Sequence, residues 1–334
     1  MNRSSKSSKG GFNLSKGIEG FLTFKNAEGL ASSTLNSYAY TLKRWVEHVG
    51  DQKVEAITPN ALNEYLSWLR SDYKPVRFNR SETPLSQKSV RNVYIVLRSF
   101  FRWLDQEFQT GNPTEKIPAP KFTKAQINPL TKEEVERLLK ACVYSREAST
   151  FLRKKFVMRR PSASRDTAIL LVLLDTGIRA SEFSHLQIGD IDFTSGKMII
   201  KQGRSGGAKG GKGRFVYLGR RSRKALWSYL AMREDRNDPQ APLFVSHHDR
   251  PFNNSSLRIL IRRLGDRAGV ARCHPHRFRH TFAITYLRSQ GDIFTLQLLL
   301  GHGSLDMVRH YAQIAQSDVA DAHRRASPAD NWRL

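Results

Sequence analysis

The amino-terminal part of the chain repeats apolar positions with the period of an amphipathic helix. Between residues 34 and 49 they recur at spacings of three and four, at Leu35, Tyr38, Leu42 and Trp45. Such a spacing places these side chains on one helix face, where they are predicted to form core rather than base-stacking platforms. Thr58 followed by Pro59 predicts another helix start, and a long helix is predicted from about Ser86. No segment in 12–107 alternates like a strand, so we expect a four-helix arrangement there.

The pattern changes at residue 111. The segment 111–125 contains Pro113, Pro118 and Pro120 and has no apolar period, which is typical of a linker. We therefore predict four parts: a disordered basic tail, a helical domain, a linker and a second domain, over residues 1–11, 12–110, 111–125 and 126–334.

The second domain is predicted to mix helices with two short strands. Thr131 and Glu134 have the spacing of a capping box that opens a helix. Apolar helices are predicted over 166–175 and from IRASE at 178–182 towards Leu186, and others follow over 219–235 and 255–268. KMIIKQ (197–202) and RFVYL (214–218) predict two strands joined by a long glycine-rich hairpin tip. The basic segment 144–165 fits either a loop or a short helical insertion.

The carboxy-terminal part collects side chains suited to phosphate chemistry. His276 and Arg279 are three residues apart, so they share a helix face. His302 follows Gly301, a predicted helix stop, and Tyr311 lies on a predicted short helix over residues 306–315. Arginine neutralises phosphate oxygens, histidine donates hydrogen bonds or moves protons, and tyrosine can be a nucleophile. A reaction at a phosphate is therefore the chemistry that this set favours.

The charge balance agrees with a polyanionic partner. The chain has 55 Lys and Arg against 30 Asp and Glu, a formal net charge of +25. Such a field attracts nucleic acid, although a merely basic protein of ribosomal type is the alternative. The longest apolar candidate, Ile169–Leu174, is far short of the roughly 20 residues that span a bilayer, so no membrane is expected. Cys142 and Cys273 form no disulfide framework, and the amino terminus has no secretory core, which together favour a cytoplasmic, nucleoid-associated protein.

Three sequence patterns together resemble a known family. They are HRFRH at 276–280 with the spacing H-x-x-R-H, LLGH at 299–302 with Tyr311 nine residues later, and TGIRASE at 176–182. They resemble the arginine boxes and carboxy-terminal signature of tyrosine site-specific recombinases, the lambda-integrase and Xer-like phage integrase family. The resemblance implies a mainly α, two-domain fold: an α-helical, SAM-like core-binding domain followed by an α-rich catalytic domain with a small antiparallel sheet.

The resemblance also implies a set of site residues. Its six catalytic members would be Arg179, Lys209, His276, Arg279, His302 and Tyr311. The two arginines would bind one phosphate and stabilise its transition state, while Tyr311 attacks and Lys209 protonates the departing 5′-oxygen. Lys212 is the alternative to Lys209, because this hairpin is longer than the usual form in the family. Glu182 and His280 would be supporting residues.

No cofactor is predicted. His274, His276 and His280 could suggest a metal site, but no nearby Cys, Asp or Glu completes the set, and the arginine within the cluster would repel a cation. The chain also lacks a P-loop, which is consistent with a reaction that needs no ATP. The bond energy would be kept in a protein–DNA ester.

The predicted partner is double-stranded DNA that carries specific recombination sites. Basic positions outside the catalytic set are assigned to DNA contacts, with a solvated surface as the alternative for each: Lys43, Arg44, Lys88, Arg91, Lys212 and Arg214. The family implies a homo-tetramer that exchanges strands through a Holliday junction, with an accessory directionality factor as a further partner. Integration or excision of a mobile element is the favoured role. The alternatives are a Xer-type dimer resolvase, a type IB topoisomerase-like enzyme and a DNA-binding accessory protein without catalysis.

Overall fold

A computed structural model describes most of the chain. The described residues are 11–76, 82–123, 126–147, 149, 154–201, 213–246, 250–301, 305–315, 323 and 327–332. By their internal contacts the residues divide into two compact units, Met1–Ala125 and Gln126–Leu334. The described part of the chain is mainly helical and contains one two-stranded antiparallel sheet, as the sequence predicts.

Four helices form the first unit. They are α1 (Leu14–Ala27), α2 (Ser32–Val49), α3 (Pro59–Ser71) and α4 (Gln87–Phe108), with a 3₁₀ turn at Val54–Ala56 before α3. The Thr58 hydroxyl accepts a hydrogen bond from the Ala61 amide at 3.2 Å, so the predicted cap of α3 is confirmed. Trp45, Tyr65 and Phe101 are fully buried, which confirms that these aromatic side chains form core.

Part of the predicted linker packs against the first unit. Ile117 is buried in the same apolar cluster as α4, and its carbonyl accepts a hydrogen bond from the Tyr94 hydroxyl at 2.8 Å. The Pro120 carbonyl accepts another from Arg91 at 3.0 Å. The proline content predicted a linker, and a single apolar side chain attaches this segment to the core of the first unit.

Nine helices and the sheet form the second unit. In chain order the elements are α5 (Lys132–Val143), α6 (Ala163–Thr176), α7 (Ala180–Phe183), β1 (Lys197–Ile200), β2 (Arg214–Tyr217), α8 (Arg220–Leu230), α9 (Asn254–Ala268), α10 (Pro275–Arg288), α11 (Ile293–Leu300), α12 (Asp306–Ala315) and α13 (Pro328–Asn331); the count refers to the described residues. The capping box of Thr131 and Glu134 is present. Instead of running towards Leu186, the helix that IRASE opens is a single turn.

Helix α6 lies at the centre of this unit. Its side chains Ala168, Ile169 and Val172 are completely buried, and the helix packs against α5, α8 and α10. A smaller apolar cluster, which includes Ile284, Leu300 and Tyr311, joins α10, α11 and α12. The two clusters therefore bring the ends of α6 and α11 together with the middle of α10 and α12.

The basic segment 144–165 leaves α5 as extended chain where it is described. Tyr144 and Arg159 form an antiparallel bridge, and the Ser145 amide donates to the Met158 carbonyl at 2.8 Å. The described parts contain no helix before α6, so the helical alternative applies to none of them. Within the described residues, no helix is both long and apolar enough to cross a membrane.

Candidate active site

Three arginine side chains converge on the carboxy-terminal end of α11. Arg214, Arg279 and Arg179 donate to the carbonyls of residues 299, 300 and 301, in that order, at 2.7, 2.7 and 3.0 Å. Carbonyls at a helix end lack intrahelical partners and carry the negative end of the helix dipole. One helix end therefore fixes guanidinium groups that come from the start of α7, from β2 and from α10. We call these residues the three-arginine cluster.

Two glycines make this convergence possible. Gly177 ends α6 with a φ of 58°, and Gly301 ends α11 with a φ of 61°, which is the left-handed region that glycine adopts easily. A Cβ atom at Gly177 would lie 2.5 Å from the Phe282 ring, so the helix end must be bare there. The Gly177 carbonyl accepts a hydrogen bond from Arg279 at 2.8 Å, and Arg279 thereby bridges the ends of α6 and α11.

Glu182 supplies the counter-charge. Its carboxylate accepts two hydrogen bonds from Arg214, at 2.8 and 2.7 Å, and one from the Arg179 side chain at 2.8 Å. It also accepts from the Arg179 amide, which closes the first turn of α7. Burial by itself would raise the pKa of Glu182, but the bonds from Arg214 and Arg179 lower it to about 2. Glu182 is therefore ionised at neutral pH and holds both arginines.

Tyr311 lies beside this cluster and is buried. Its hydroxyl is 2.9 Å from Nδ1 of His280, and the two ring centroids are 5.5 Å apart. Burial raises the pKa of Tyr311, and the charges of Arg279 and Arg179 oppose that rise. The tyrosine is 0% exposed.

The charge states of the neighbours follow from the same burial. Arg279 is 1% exposed; burial, and then the charge of Arg179, lowers its pKa to about 10, so it stays protonated at neutral pH. Burial, and then the neighbouring His276, lowers the pKa of His280 to about 4. The His280 ring is therefore neutral and can accept the tyrosine proton in a hydrogen bond.

His276 and Arg179 are reachable from outside. The His276 ring packs edge-on against His280, with 4.2 Å between the ring centroids. His276 and Arg179 line an open cavity of about 770 Å³ together with Arg258 and Arg262 of α9. Arg179 has 34% of its side chain exposed, in contrast to Arg279. The site thus has an outer part that an anion can enter and an inner part that holds Tyr311.

Three of the predicted site residues lie outside the described part of the chain. They are Lys209, Lys212 and His302. Among the residues that the structure describes, no group of three His, Cys, Asp or Glu side chains is arranged to hold a metal ion.

The residues assigned to DNA contacts lie in different environments. Lys43 and Lys88 are exposed on α2 and α4. Arg44 is stacked between the rings of Tyr40 and Tyr73, with its guanidinium 4.4 and 4.7 Å from the ring centroids. Such stacking leaves the edge of the guanidinium free to donate hydrogen bonds.

Two of the arginines assigned to DNA contacts have partners inside the protein. Arg91 donates to Pro120 and lies 5.4 Å from the ring centroid of Phe122. The sequence assigned Arg214 to a DNA contact, but its guanidinium is buried against Glu182. The period of the strand could have shown this, because Arg214 and Val216 are two residues apart and share the buried face of β2.

The fold and the arginine–tyrosine cluster can be compared with known proteins. Residues 128–318 match the phage integrase family, and residues 18–107 match the phage integrase N-terminal SAM-like domain. The chain therefore belongs to the phage integrase family, whose members are tyrosine recombinases that cleave and rejoin DNA.

Individual relatives agree with this family membership. The chain is 30% identical to tyrosine recombinase XerC of Oceanobacillus iheyensis over 291 residues, which cover 81% of this chain and 89% of the relative. It is 29% identical to tyrosine recombinase XerA of Thermococcus onnurineus over 313 residues, which cover 92% and 94%. Its fold is similar to that of the Tn1549 transposon integrase in complex with a circular intermediate DNA, with a TM-score of 0.71 at 16% identity, over 97% of this chain and all of that chain.

Proposed function

We propose that this chain is a site-specific DNA recombinase in which Tyr311 attacks a DNA phosphate bound by Arg179 and Arg279. The observation that supports this most directly is the position of the Tyr311 hydroxyl, which is 2.9 Å from Nδ1 of His280 and lies in the field of the Arg279 and Arg179 charges. Guanidinium groups that are fixed before DNA arrives can stabilise the negative charge of the transition state without reorganisation. Glu182 acts as a positioning residue, because it holds Arg179 and Arg214 and is itself buried.

The proposed reaction conserves the phosphodiester energy. The phenol of Tyr311 gives up its proton, with His276 as the proposed acceptor. Its oxygen then forms a bond to phosphorus, and the bond from phosphorus to the 5′-oxygen breaks. The products are a 3′-phosphotyrosine and a 5′-hydroxyl. The family resemblance implies that Lys209 gives the departing 5′-oxygen its proton. A 5′-hydroxyl from a second duplex then attacks the phosphotyrosine and releases the tyrosine. By the family resemblance, we assign help in proton transfer to His276, at the mouth of the site, and a hydrogen bond to the scissile phosphate to His302.

Attack requires that Tyr311 leave its buried position. Its hydroxyl is hydrogen-bonded to His280, and its side chain is not exposed, so no DNA phosphate can reach it in this arrangement. Arg179, which is partly exposed, is therefore the arginine that a phosphate meets first. We propose that phosphate binding at Arg179 precedes the displacement of Tyr311 from His280.

A nicked suicide substrate tests the proposal. The DNA flanking the gene supplies the candidate sites, as repeats at which the element joins its host. A nick next to the scissile phosphate lets a short fragment diffuse away, so the protein stays attached to DNA through its tyrosine. We expect the wild type to give a covalent complex that survives denaturing gel electrophoresis, and Tyr311→Phe to bind the DNA without covalent attachment.

Tyr286→Phe is the control, because Tyr286 is a half-buried tyrosine that belongs to the same apolar cluster as Tyr311. It should retain covalent attachment. Attachment by Tyr311→Phe would contradict the proposal. Relaxation of supercoiled DNA without exchange between two sites would instead favour the topoisomerase alternative.

The proposed biological role is integration or excision of a mobile element, carried out by a homo-tetramer in the nucleoid with a directionality factor. The basic segment 144–165 supports this role over a compact Xer-type enzyme. The similarity to XerC and XerA proteins over most of their length supports the second candidate, a Xer-type dimer resolvase. Deleting the gene distinguishes the two roles. Loss of element excision supports the first, and accumulation of chromosome dimers supports the second.

A further inference from the structure

A strongly basic cleft lies beside α9, away from Tyr311. It is a cavity of about 420 Å³ whose lining includes Ser145, Asp266 and four arginines. We call the four arginines the arginine cleft: Arg146, Arg160, Arg263 and Arg267. Two of them, Arg146 and Arg160, come from the segment 144–165. Four of the six lining residues are arginines, so the cleft suits an anion.

Internal hydrogen bonds hold most of these arginines in place. Arg160 and Arg267 donate to carbonyls in the last turn of α5, at 3.1 and 2.9 Å, and Arg146 donates to a carbonyl of α9 at 2.6 Å. In the described contacts each of the three uses a single terminal nitrogen. A guanidinium has five N–H donors, so donors remain for an anion in the cleft. The cleft is therefore organised before any ligand arrives.

The cleft has an excess of positive charge. Asp166, the buried carboxylate behind it, is already paired with Arg160 and Arg165, both at 2.9 Å. Arg263 is exposed and has no hydrogen-bond or ion-pair partner among the residues that the structure describes. Burial and then the charge of Arg160 lower the pKa of Arg267, which shows that these cations are crowded together. An anion would relieve this crowding.

The cleft continues towards the candidate active site along α9. A neighbouring cavity of about 400 Å³ shares Arg160, Arg263 and Arg267 with the cleft and extends to Ile259. Ile259 also lines the cavity that contains Arg179 and His276. The nine residue steps from Arg258 to Arg267 rise about 14 Å along the helix axis, which is comparable to the rise of about four nucleotides of one strand.

We propose that the arginine cleft binds the sugar–phosphate backbone of DNA next to the reacting phosphate, in the same duplex. The segment 144–165 thereby extends the DNA contact beyond the site of cleavage. This proposal rests on the proposed function, because it places the cleft on the DNA that the active site cuts. Contacts to the backbone fix the register of a duplex without reading its sequence.

The salt dependence of DNA binding tests the proposal. The probe is a fluorescently labelled 40-base-pair duplex of arbitrary sequence, and its affinity for the full chain is measured by anisotropy between 50 and 300 mM NaCl. Log affinity falls with log salt concentration, and each lost phosphate contact makes this slope less steep by about 0.9. The double variant Arg146→Gln/Arg263→Gln should therefore reduce the magnitude of the slope by about 1.8. Both side chains are exposed, so the fold should be retained.

A control with the same loss of charge is Arg221→Gln/Lys224→Gln, at two exposed positions of α8 outside the cleft. Its slope should match that of the wild type. Equal slopes in the two double variants would overturn the proposal, whether both fall or neither does. In that case, the arginine cleft would be examined next as a binding site for an acidic protein. A wild type that never attaches covalently to nicked DNA would refute the proposed function, whereas the salt slope would still decide the role of the cleft.

Discussion

Glu182 is the carboxylate on which the three-arginine cluster depends, and its replacement by glutamine should have a defined pH signature. Its pKa falls from an ordinary value of 4.5 to about 2 in the folded chain. A shift of this size corresponds to about 3 kcal/mol of stability, at about 1.4 kcal/mol for each pKa unit. Because the folded-state pKa is lowered, this contribution is complete above pH 4.5 and is lost as the pH falls towards 2.

The Glu182→Gln variant removes this contribution at neutral pH. We expect its free energy of unfolding at pH 7 to be about 3 kcal/mol below that of the wild type, within the range for breaking one side of a buried ion pair. At pH 3 the difference should shrink to about 1.5 kcal/mol, because much of the wild-type carboxylate is then protonated in the unfolded chain. Urea unfolding of the full chain, followed by circular dichroism at both pH values, measures the difference. The transition that changes belongs to the second unit, in which Glu182 lies.

Glu136→Gln is the matched control. Glu136 is exposed and lies 4.0 Å from Lys132, so its loss should change stability by less than about 0.5 kcal/mol. If Glu182→Gln unfolded with the same free energy as the wild type at pH 7, the ion pairs would not stabilise the cluster. If the loss were equally large at pH 3 and pH 7, the effect would come from packing and not from charge.

Two further substitutions test the surroundings of the site. Gly177→Ala should destabilise the chain by about 2–4 kcal/mol in a thermal unfolding assay, because it combines a left-handed φ with a Cβ atom 2.5 Å from Phe282. Gly269→Ala is its control. That glycine has a φ of 64° and nothing within 4 Å of an added Cβ, so the variant should lose only about 1 kcal/mol in the same assay. His280→Asn should flatten the pH dependence of stability between pH 6.5 and 4. Because the pKa of His280 is lowered in the folded chain, the unfolded chain binds more protons in that range, and wild-type stability falls as the pH falls. The free energy of unfolding is measured against pH for both proteins, and equal slopes for the wild type and His280→Asn would contradict this.

Local patterns predicted the elements better than their contacts. The cap at Thr58, the capping box at Thr131 and the stop at Gly301 depend on neighbouring residues only, and all three are present. The apolar period also predicted that Tyr311 lies on a short helix. None of these signals gives the position of one helix relative to another.

The contacts of the arginines could be found only from the tertiary structure. The sequence assigned Arg214 to a DNA contact, but the folded chain pairs it with Glu182, which is 32 residues away. The partner of Arg91 at Pro120 was hidden for the same reason, because a backbone carbonyl has no sequence signature. Long side chains whose partners lie far along the chain are therefore the residues that sequence reasoning misplaces.

The way in which the cluster is held also suggests why one arginine is partly exposed and another is not. Arg279 donates from its two terminal nitrogens to the carbonyls of Gly177 and Leu300, at the ends of α6 and α11. Moving this side chain would remove a hydrogen-bond donor from both carbonyls. Arg179 has one bond to Glu182 and one to Gly301 at the edge of an open cavity. A phosphate can replace the Gly301 carbonyl at Arg179 while Glu182 keeps the side chain in place. In the proposed function, the exposed arginine is thus suited to meet the phosphate first, and the buried one holds its charge beside the resting position of Tyr311.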